Sequence, residues 1–475
     1  MGRRRKTTET AHCGDVEGAK GISQQHEKEQ EEQKDLICAF ISTVKHFFGP
    51  FNNFFSGVSD PRNPLQVTYP LAGLAFSGIL MFLCHLQARR QIGLLLRNGP
   101  SAAKFYSIFA VDNFPHGDTL NDVLMMLDMH QVQETVTGMA ETLIRQKILY
   151  PYRILDIYLA VAVDGTGVLV YKERHCAHCL TKTHDGKTLY YHNVLEAKLV
   201  TSNGFAFSLM TEFIENPGEY PTKQDCELKA FYRLAERLKK RFPRLPILLT
   251  MDGLFAGGPT FRLCQNYGWT FMIVLKDQQL PSVNSEFIAL ADLQLGNQFF
   301  WRTGKKAEIK QQFRWVDDIS YRDSSGEEQT VSVIECHETK PGKHRTEETT
   351  KFRWVTNCKL TARNVSALAN EGGRIRWKVE NEGFNVQKNG GYALEHAYTE
   401  DVNAAKGFYF LLQIAHMLSQ LMEKGSLLKK AFPAGFGSAK NLSFRLLEAW
   451  RNALMSKVNF DAIFIAQFQV RFDSS

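Results

Sequence analysis

One acidic residue inside an apolar run constrains this chain more than any other feature. Residues 158–171, YLAVAVDGTGVLVY, are rich in Val and Leu, which is typical of a buried strand. Asp164 lies in the middle, and a buried carboxylate is costly unless a partner or a metal ion compensates it. The alternative is a strand that ends at Asp164 before a turn at 165–167. However, residues 245–253, LPILLTMDG, repeat the pattern with Asp252, and two such carboxylates predict a divalent-metal site.

Length, charge and cysteine content limit the classes of protein to consider. A chain of 475 residues predicts roughly two to four domains, and 44% hydrophobic residues suffice for a sizeable core. The net charge of +7 suits a polyanionic partner. Nine scattered cysteines do not form a disulfide framework, so a reducing compartment is expected.

We expect no secretion signal and no membrane span. The N-terminus, MGRRRKTTET, leads into polar sequence instead of an apolar signal region. The most apolar window, 71–86, falls short of the roughly 20 residues that cross a bilayer. A buried helix is the better interpretation, and the predicted location is cytoplasmic.

The first 150 residues divide into two predicted parts. Residues 1–36 are charged and polar, which predicts a disordered tail. Residues 37–150 have helical periodicity and predict a helical, DNA-binding domain. In this domain Arg89 and Arg90 are candidates for phosphate contacts, and the alternative is a solvated basic face.

The middle of the chain predicts a mixed sheet. Strands near 158–164 and 167–172 precede a hairpin at 190–213, and helices near 224–241 and 257–267 then alternate with strands 246–252 and 270–276. The order β-β-β-α-β-α-β is that of a ribonuclease-H-like α/β core with a mixed five-stranded sheet.

That core requires one more helix, and the next helical pattern lies near 372–388. A connection of such length is not a loop, so we expect a β-rich insertion at 283–365, outside the core sheet. The core is therefore predicted in two parts, 151–282 and 366–425, and helices at 426–475 complete the chain.

A third carboxylate is expected on this later helix. Arg376 and Glu380 are four residues apart and share one helix face, which Lys388 continues. A surface ion pair is the alternative. Glu382 and Glu395 are rival third carboxylates, although the helical repeat points Glu382 away from the Arg376 face.

Asp164, Asp252 and Glu380, in this order, resemble the acidic triad of DDE transposases. The resemblance is to the bacterial insertion-sequence branch with a β-rich insertion and a tyrosine–arginine–glutamate–lysine signature. RWKVE at 376–380 is similar to part of that signature, and QDCELKAFYRL and VENEGFNVQKNGGYALEHAY also resemble family segments. The chain departs from the signature at Gly373, where the family has tyrosine, and at Gln387, where it has lysine.

The resemblance implies two Mg²⁺ ions, or Mn²⁺ as a substitute, held by Asp164, Asp252 and Glu380. Arg376 and Lys388 would hold phosphates. Trp301 or Trp315 would stack on a flipped base.

The implied partners are transposon-end DNA and target DNA, bound by a homodimer in a bacterial cytoplasm, close to the nucleoid. Two alternatives stay open: a plain metal-dependent nuclease of the same fold, and a catalytically decayed relative that only binds DNA.

A second metal site is predicted independently of the first. Cys176 and Cys179 form a C-x-x-C pair with histidines nearby, and His192 is a candidate third ligand for Zn²⁺. The alternative is a polar hairpin with unliganded thiols.

Overall fold

A large mixed sheet organises the molecule. The computed structural model describes residues 14–219, 221–304, 308–342 and 346–472. Within these ranges the protein is mixed α/β, with ten strands in one sheet and helices around it. No helix in the described ranges is long and apolar enough to cross a membrane.

Apolar, β-branched runs form the strands. They are β1 (Leu159–Tyr171), β2 (Leu180–His184), β3 (Lys187–Val200), β4 (Ala206–Ile214), β5 (Ile247–Met251), β6 (Thr270–Val274), β7 (Gln298–Thr303), β8 (Ile309–Arg322), β9 (Glu328–Pro341) and β10 (Glu347–Thr356). The predicted pair of strands at 158–164 and 167–172 is a single strand, β1, which continues through Asp164. The alternative of a turn at 165–167 is therefore wrong, because β3 pairs with β1 along both halves and supplies its hydrogen bonds.

Strand order places the short strands β5 and β6 between two groups of longer strands. β3 pairs antiparallel with β1, and both β2 and β4 pair antiparallel with β3. On the other side, β1, β5 and β6 are parallel to one another. The sheet then continues through β10, β9, β8 and β7, all antiparallel.

The segment 283–365 is β-rich, as predicted, but its predicted position is wrong. Its strands extend the central sheet, because β10 pairs with β6 from Trp354 opposite Val274 to Thr356 opposite Met272. Without β10, the outer edge of β6 would leave backbone groups unpaired.

The helices follow amphipathic runs. They are α1 (Gly14–Phe48), α2 (Leu71–Leu83), α3 (Arg90–Leu95), α4 (Pro100–Phe109), α5 (Gly117–Met126), α6 (Met129–Arg145), α7 (Glu227–Arg241), α8 (Gly258–Tyr267), α9 (Pro281–Ala291), α10 (Val365–Ala367), α11 (Asn385–Asn389), α12 (Val402–Lys424), α13 (Ser426–Ala431), α14 (Ala439–Asn452) and α15 (Lys457–Ile465).

The predicted disorder of residues 1–36 does not hold for residues 14–36, which form the first part of α1. Residues 1–13 lie outside the described ranges. The helix is anchored further along, where Leu36, Ile37 and Phe40 are buried. Helix formation is cooperative, so an anchored C-terminal part extends into the charged segment before it.

A composite helix spans residues 365–389. It begins with α10 and ends with α11, and between them π-helical turns at Leu368–Gly373 and Val379–Phe384 flank a 3₁₀ turn at Arg374–Arg376. The prediction of one regular helix is therefore wrong. Its apolar side chains, Leu368, Ile375, Val379 and Phe384 among them, share a core with the face of the sheet that carries Ala162 and Leu248.

The described chain divides into two compact units. The first comprises Met1–Phe54, Asn63–Leu120 and Leu421–Arg471, and the second Phe55–Arg62, Asn121–Gln420 and Phe472–Ser475. These limits differ from the predicted domains, since N-terminal and C-terminal helices share the first unit while α6 packs on β4 in the second. The first unit is helical, with Phe76, Phe105 and Trp450 in its core. The second contains the sheet and every candidate acidic residue.

Candidate acidic site

Two aspartates lie side by side where the parallel pairing of β1 with β5 ends. Val163 of β1 is in register with Met251 of β5, so Asp164 and Asp252 follow one position later on adjacent strands. Side chains at matched positions point to the same face of a sheet. Asp252 turns the chain out of β5, since its Oδ1 accepts a hydrogen bond from the Leu254 N–H at 2.8 Å. This register places the two aspartates next to each other, and Asp252 is close enough to raise the pKa of Asp164. That the two carboxyl groups share a metal ion stays a prediction.

The composite helix brings a cation to the first aspartate. Arg376 Nη1 donates to Asp164 Oδ2 at 3.0 Å, and its guanidinium lies 5.0 Å from the Trp377 ring centroid. Its Nε is buried and has no hydrogen-bond partner among the described residues. Arg376 was expected to face Glu380 on one regular helix, but the change of helical type between them directs the guanidinium to the sheet.

Three charges set the protonation of Asp164. Burial raises the pKa of its carboxyl group, and Asp252 and Glu380 raise it further by repulsion. Only Arg376 and the Gly165 N–H oppose the rise. Glu380 is exposed and close enough to act on Asp164. Both rivals are engaged elsewhere: Glu382 pairs with Lys378 at 3.0 Å, and Glu395 with Lys388 at 2.9 Å.

A fourth carboxylate, Glu227, was missed by the sequence analysis. It is the first residue of α7, and a Cβ on Gly165 would collide with its carboxyl group. Burial raises the pKa of Glu227, and Asp164 and Asp252 raise it further. Acidic residues are common in the first turn of a helix because they interact favourably with the helix dipole. The position of Glu227 in the sequence therefore did not indicate a role in the site. Glu227 lies in QDCELKAFYRL, a segment that resembles the family as a whole without marking this glutamate as a site residue.

The carboxylates are more widely spaced than predicted. Across the described ranges, only Cys176, Cys179 and His192 place three ligand atoms within the reach of one metal ion. The prediction that the Asp164, Asp252 and Glu380 carboxyl groups fit one metal-site diameter is therefore wrong. Of the three carboxylates, Asp164 is the one that pairs with Arg376. Two ions that share Asp164 would not require the other two carboxylates to touch, and this arrangement stays a prediction.

Packing explains both departures from the transposase signature. A Cβ on Gly373 would lie 2.6 Å from Cε2 and Nε1 of Trp354, so the indole of β10 fills the space that a tyrosine would need. Gln387 is fully buried, and its Nε2 bonds to Gln413 Oε1 at 2.9 Å and to His416 Nδ1 at 3.0 Å. Because Lys198 Nζ already donates to that same Gln413 oxygen at 2.7 Å, a lysine at 387 would add a second buried cation.

The residues predicted to contact DNA differ in exposure and in their ion pairs. Trp301 is 47% exposed and lines an open groove with Arg374, whereas Trp315 is 4% exposed and belongs to the core. Lys388 is paired with Glu395, as described above. In the first unit, Arg89 pairs with Asp118 at 3.4 Å and Arg90 is exposed.

The predicted zinc ligands lie together. Cys176 Sγ lies 3.5 Å from both Cys179 Sγ and His192 Nε2, and Cys179 Sγ lies 3.4 Å from His192 Nε2.

No protein-family model matches the chain, and no curated protein is significantly similar to it.

Proposed function

We propose that this protein is a DDE-type DNA transposase, which cuts the ends of a mobile element and joins them to target DNA. The observation that carries the proposal is that Asp252, which like Asp164 follows the last pair of β1 and β5, and Glu380 of the composite helix are both close enough to act on the pKa of Asp164. These residues occur in the order of the triad that the sequence resembles.

The strand arrangement supports a ribonuclease-H-like core. Taken alone, β4, β3, β1, β5 and β6 follow one another in space, the first three antiparallel and the last three parallel. Helix α7 connects β4 to β5 and α8 connects β5 to β6, which are the positions of the crossover helices in such sheets. Strands β7 to β10 would then be the insertion, attached to the edge at β6.

The donor set fits Mg²⁺. Asp164, Asp252, Glu227 and Glu380 supply hard carboxylate oxygens, and only Arg376 offsets their charge within reach of Asp164. Burial raises the pKa of Asp164 and of Glu227, and repulsion between neighbouring carboxylates raises both further, so a divalent cation would stabilise their charged forms. Bound Mg²⁺ would polarise the scissile phosphate and lower the pKa of a water or DNA 3′-hydroxyl.

The residues of the chain orient this chemistry. Asp164 is central, since it faces Asp252 and Glu227 from the sheet and receives Arg376 from the composite helix. Arg376 would move from Asp164 to a DNA phosphate when cations replace its charge, and its buried Nε offers a further donor. The net charge of +7 favours DNA as the substrate.

One observation favours a DNA-binding relative that does not cut. Arg376 bonds directly to Asp164 and so neutralises the carboxylate that two ions would share. In such a protein the ion pair would be permanent and structural, and Gly373 and Gln387 would be further signs of decay.

Cleavage and joining separate these functions. Purified protein is incubated with Mg²⁺ or Mn²⁺ and DNA that carries the sequences flanking its gene, and nicked, cut and strand-transfer products are resolved. We expect cutting and joining from the wild type. We expect at least a ~100-fold loss in Asp164→Asn, because removing a metal ligand should cost no less than the outer-shell changes that cost about 10–100-fold.

Asp292→Asn is the matched control, since this exposed aspartate pairs only with Arg314 on the surface. It should cut at the wild-type rate. Cutting without joining would indicate a plain nuclease. DNA binding without cutting in either metal would overturn the proposal in favour of the decayed relative.

A further inference from the structure

A cluster of two thiols and one imidazole lies in the second unit, apart from the four carboxylates. We infer that Cys176, Cys179 and His192 bind one Zn²⁺ ion. The inference does not depend on the proposed function, because it rests on the geometry of these three side chains.

The spacing of the three ligand atoms is that of a tetrahedral zinc site. With Zn–S near 2.3 Å and Zn–N near 2.0 Å, tetrahedral ligands should be about 3.8 Å apart for two sulfurs and about 3.5 Å for sulfur and nitrogen. The observed separations are 3.5 Å between the sulfurs, and 3.5 Å and 3.4 Å from each sulfur to His192 Nε2. A position therefore exists that is about 2.3 Å from both sulfurs and about 2.0 Å from the nitrogen, where a zinc ion would fit.

The backbone brings these ligands together. Cys176 and Cys179 lie in the connection between β1 and β2, and Leu180 of β2 pairs with Tyr191 of β3. His192, the next residue of β3, thereby comes beside the cysteine pair. The cluster is thus built from one short loop and one strand of the large sheet.

Contacts around the cysteines hold them in place. The N–H of His178 donates to Cys176 Sγ at 3.3 Å, and Asn216 Nδ2 donates to the carbonyl oxygen of Cys179 at 2.8 Å. An N–H directed at a cysteine sulfur stabilises the thiolate form, which is the form that binds metal. Cys179 is buried, so a thiolate there needs a cation as partner.

A neighbouring phenol has an unmet hydrogen bond. The Tyr171 hydroxyl is buried and has no hydrogen-bond partner in the described ranges. It is close enough to interact electrostatically with both cysteines. A zinc-bound thiolate would provide the acceptor that this hydroxyl lacks. Tyr171 also stacks on His175 at 4.3 Å between ring centroids, and His175 is 6.4 Å from His192. His175 is therefore the candidate for a fourth ligand.

A disulfide is the competing explanation for the pair. The Sγ atoms are 3.5 Å apart, whereas a disulfide requires about 2.05 Å. A disulfide would also give His192 no role. Two soft thiolates and an imidazole instead match the ligand preference of Zn²⁺.

The ion would attach the loop of residues 172–179 to the sheet. Residues 172–179 have no strand pairing of their own, and metal ligation would tie them to β3, which also pairs with the strand that carries Asp164. Two thiols lose their protons to solvent on binding, so zinc affinity falls as the pH falls.

Metal analysis of the full chain tests the inference. Untagged protein is expressed with zinc, purified without chelators and analysed by inductively coupled plasma mass spectrometry. We expect about one zinc per chain in the wild type, and almost none in His192→Ala or in the double variant Cys176→Ser/Cys179→Ser. Cys226→Ser, which changes an exposed cysteine outside the cluster, should keep its zinc.

A second measurement is independent of whether the variants fold. Wild-type protein reconstituted with Co²⁺ should show thiolate-to-cobalt charge-transfer absorption and the d–d bands of a tetrahedral site. Zinc-free wild-type protein without this cobalt spectrum would overturn the inference, as would a Cys176–Cys179 disulfide in mass spectra. Zinc retained in the double variant would also overturn it.

Discussion

At the scale of single residues, the protein is organised by compensation of buried charge. Asp164 carries its charge into an apolar strand, and the structure surrounds it with one cation and three further carboxylates. Glu227 is the least expected of these, because its helix begins against Gly165 instead of in solvent. Glycine is required there, since any larger residue would push this carboxylate away from Asp164.

Glu227→Gln tests whether this carboxylate serves the site. We expect DNA cleavage to fall by about 10–100-fold, the cost of losing a second-shell partner. The raised pKa of Glu227 means that its carboxylate lowers the stability of the fold as the pH rises through the folded pKa. The amide should therefore raise the melting temperature at neutral pH, and this gain should shrink in acid.

The control for that prediction is Glu236→Gln, on the exposed face of the same helix. It should change neither cleavage nor melting temperature. Unchanged cleavage in Glu227→Gln would show that the residue only repels Asp164.

At the scale of elements, the composite helix and the strand β10 are shaped to each other. Residues 365–389 change helical type repeatedly and contain two π-helical turns, and turns of this kind occur frequently at functional sites. Gly373 sits where the helix meets the sheet, directly over the indole of Trp354. This contact, and not the helix propensity of the segment, sets how closely Arg376 approaches Asp164.

Gly373→Ala should destabilise the protein, although alanine favours helices. Its Cβ would lie 2.6 Å from Trp354, and overpacking of this kind costs about 1–3 kcal/mol. The measurement is urea unfolding followed by circular dichroism. Cleavage should fall as well, because a displaced helix moves Arg376 and Glu380.

Gly138→Ala is the matched control in α6, where an added Cβ meets nothing within 4 Å. It should stabilise the fold by up to about 1 kcal/mol, through helix propensity alone. Equal effects of the two substitutions would contradict close packing at Gly373.

At the scale of the whole molecule, the two units are stabilised in different ways. The second unit is built on a sheet whose ten strands share one hydrogen-bond network. The first unit is a helical assembly of chain segments from both ends, and it buries a complete lysine side chain. Lys104 Nζ donates to the carbonyl oxygens of Pro100 and Trp450, each at 3.0 Å, so this amine joins α4 to α14.

The buried amine predicts a pH dependence of stability. Burial lowers the pKa of Lys104 from 10.5 to about 7. Because the folded pKa is depressed, the stability contribution is complete above pH 10.5 and is lost as the pH falls through about 7. Urea unfolding should therefore show a rise in stability between pH 6 and pH 10, on the order of 3 kcal/mol.

Lys104→Met should remove most of this slope. The same substitution at Lys457, an exposed residue of α15, should leave the slope unchanged. A wild-type slope retained in Lys104→Met would place the titrating group elsewhere.

Local pattern was sufficient for the parts of the protein that depend on neighbours in sequence. Asp164 and Asp252 were predictable because each ends or interrupts an apolar run, and parallel strands bring such positions together. The cysteine pair was predictable from its spacing, since two thiols three residues apart come close together when the chain turns between them. The predicted bounds of α7 and α8 differ from the observed ones by at most three residues, because their apolar periodicity is strong.

Only the tertiary structure decided what depends on contacts between distant segments. The pairing of β10 with β6 joined the expected insertion to the central sheet, because an exposed strand edge accepts whichever strand reaches it. Glu227 became part of the acidic site because α7 begins beside a glycine of β1. Arg376 pairs with Asp164 from a helix that packs at Gly373 against Trp354 of a distant strand. All three features depend on packing and charge interactions between residues that are far apart in the sequence. Such interactions leave no periodic pattern along the chain from which they could be predicted.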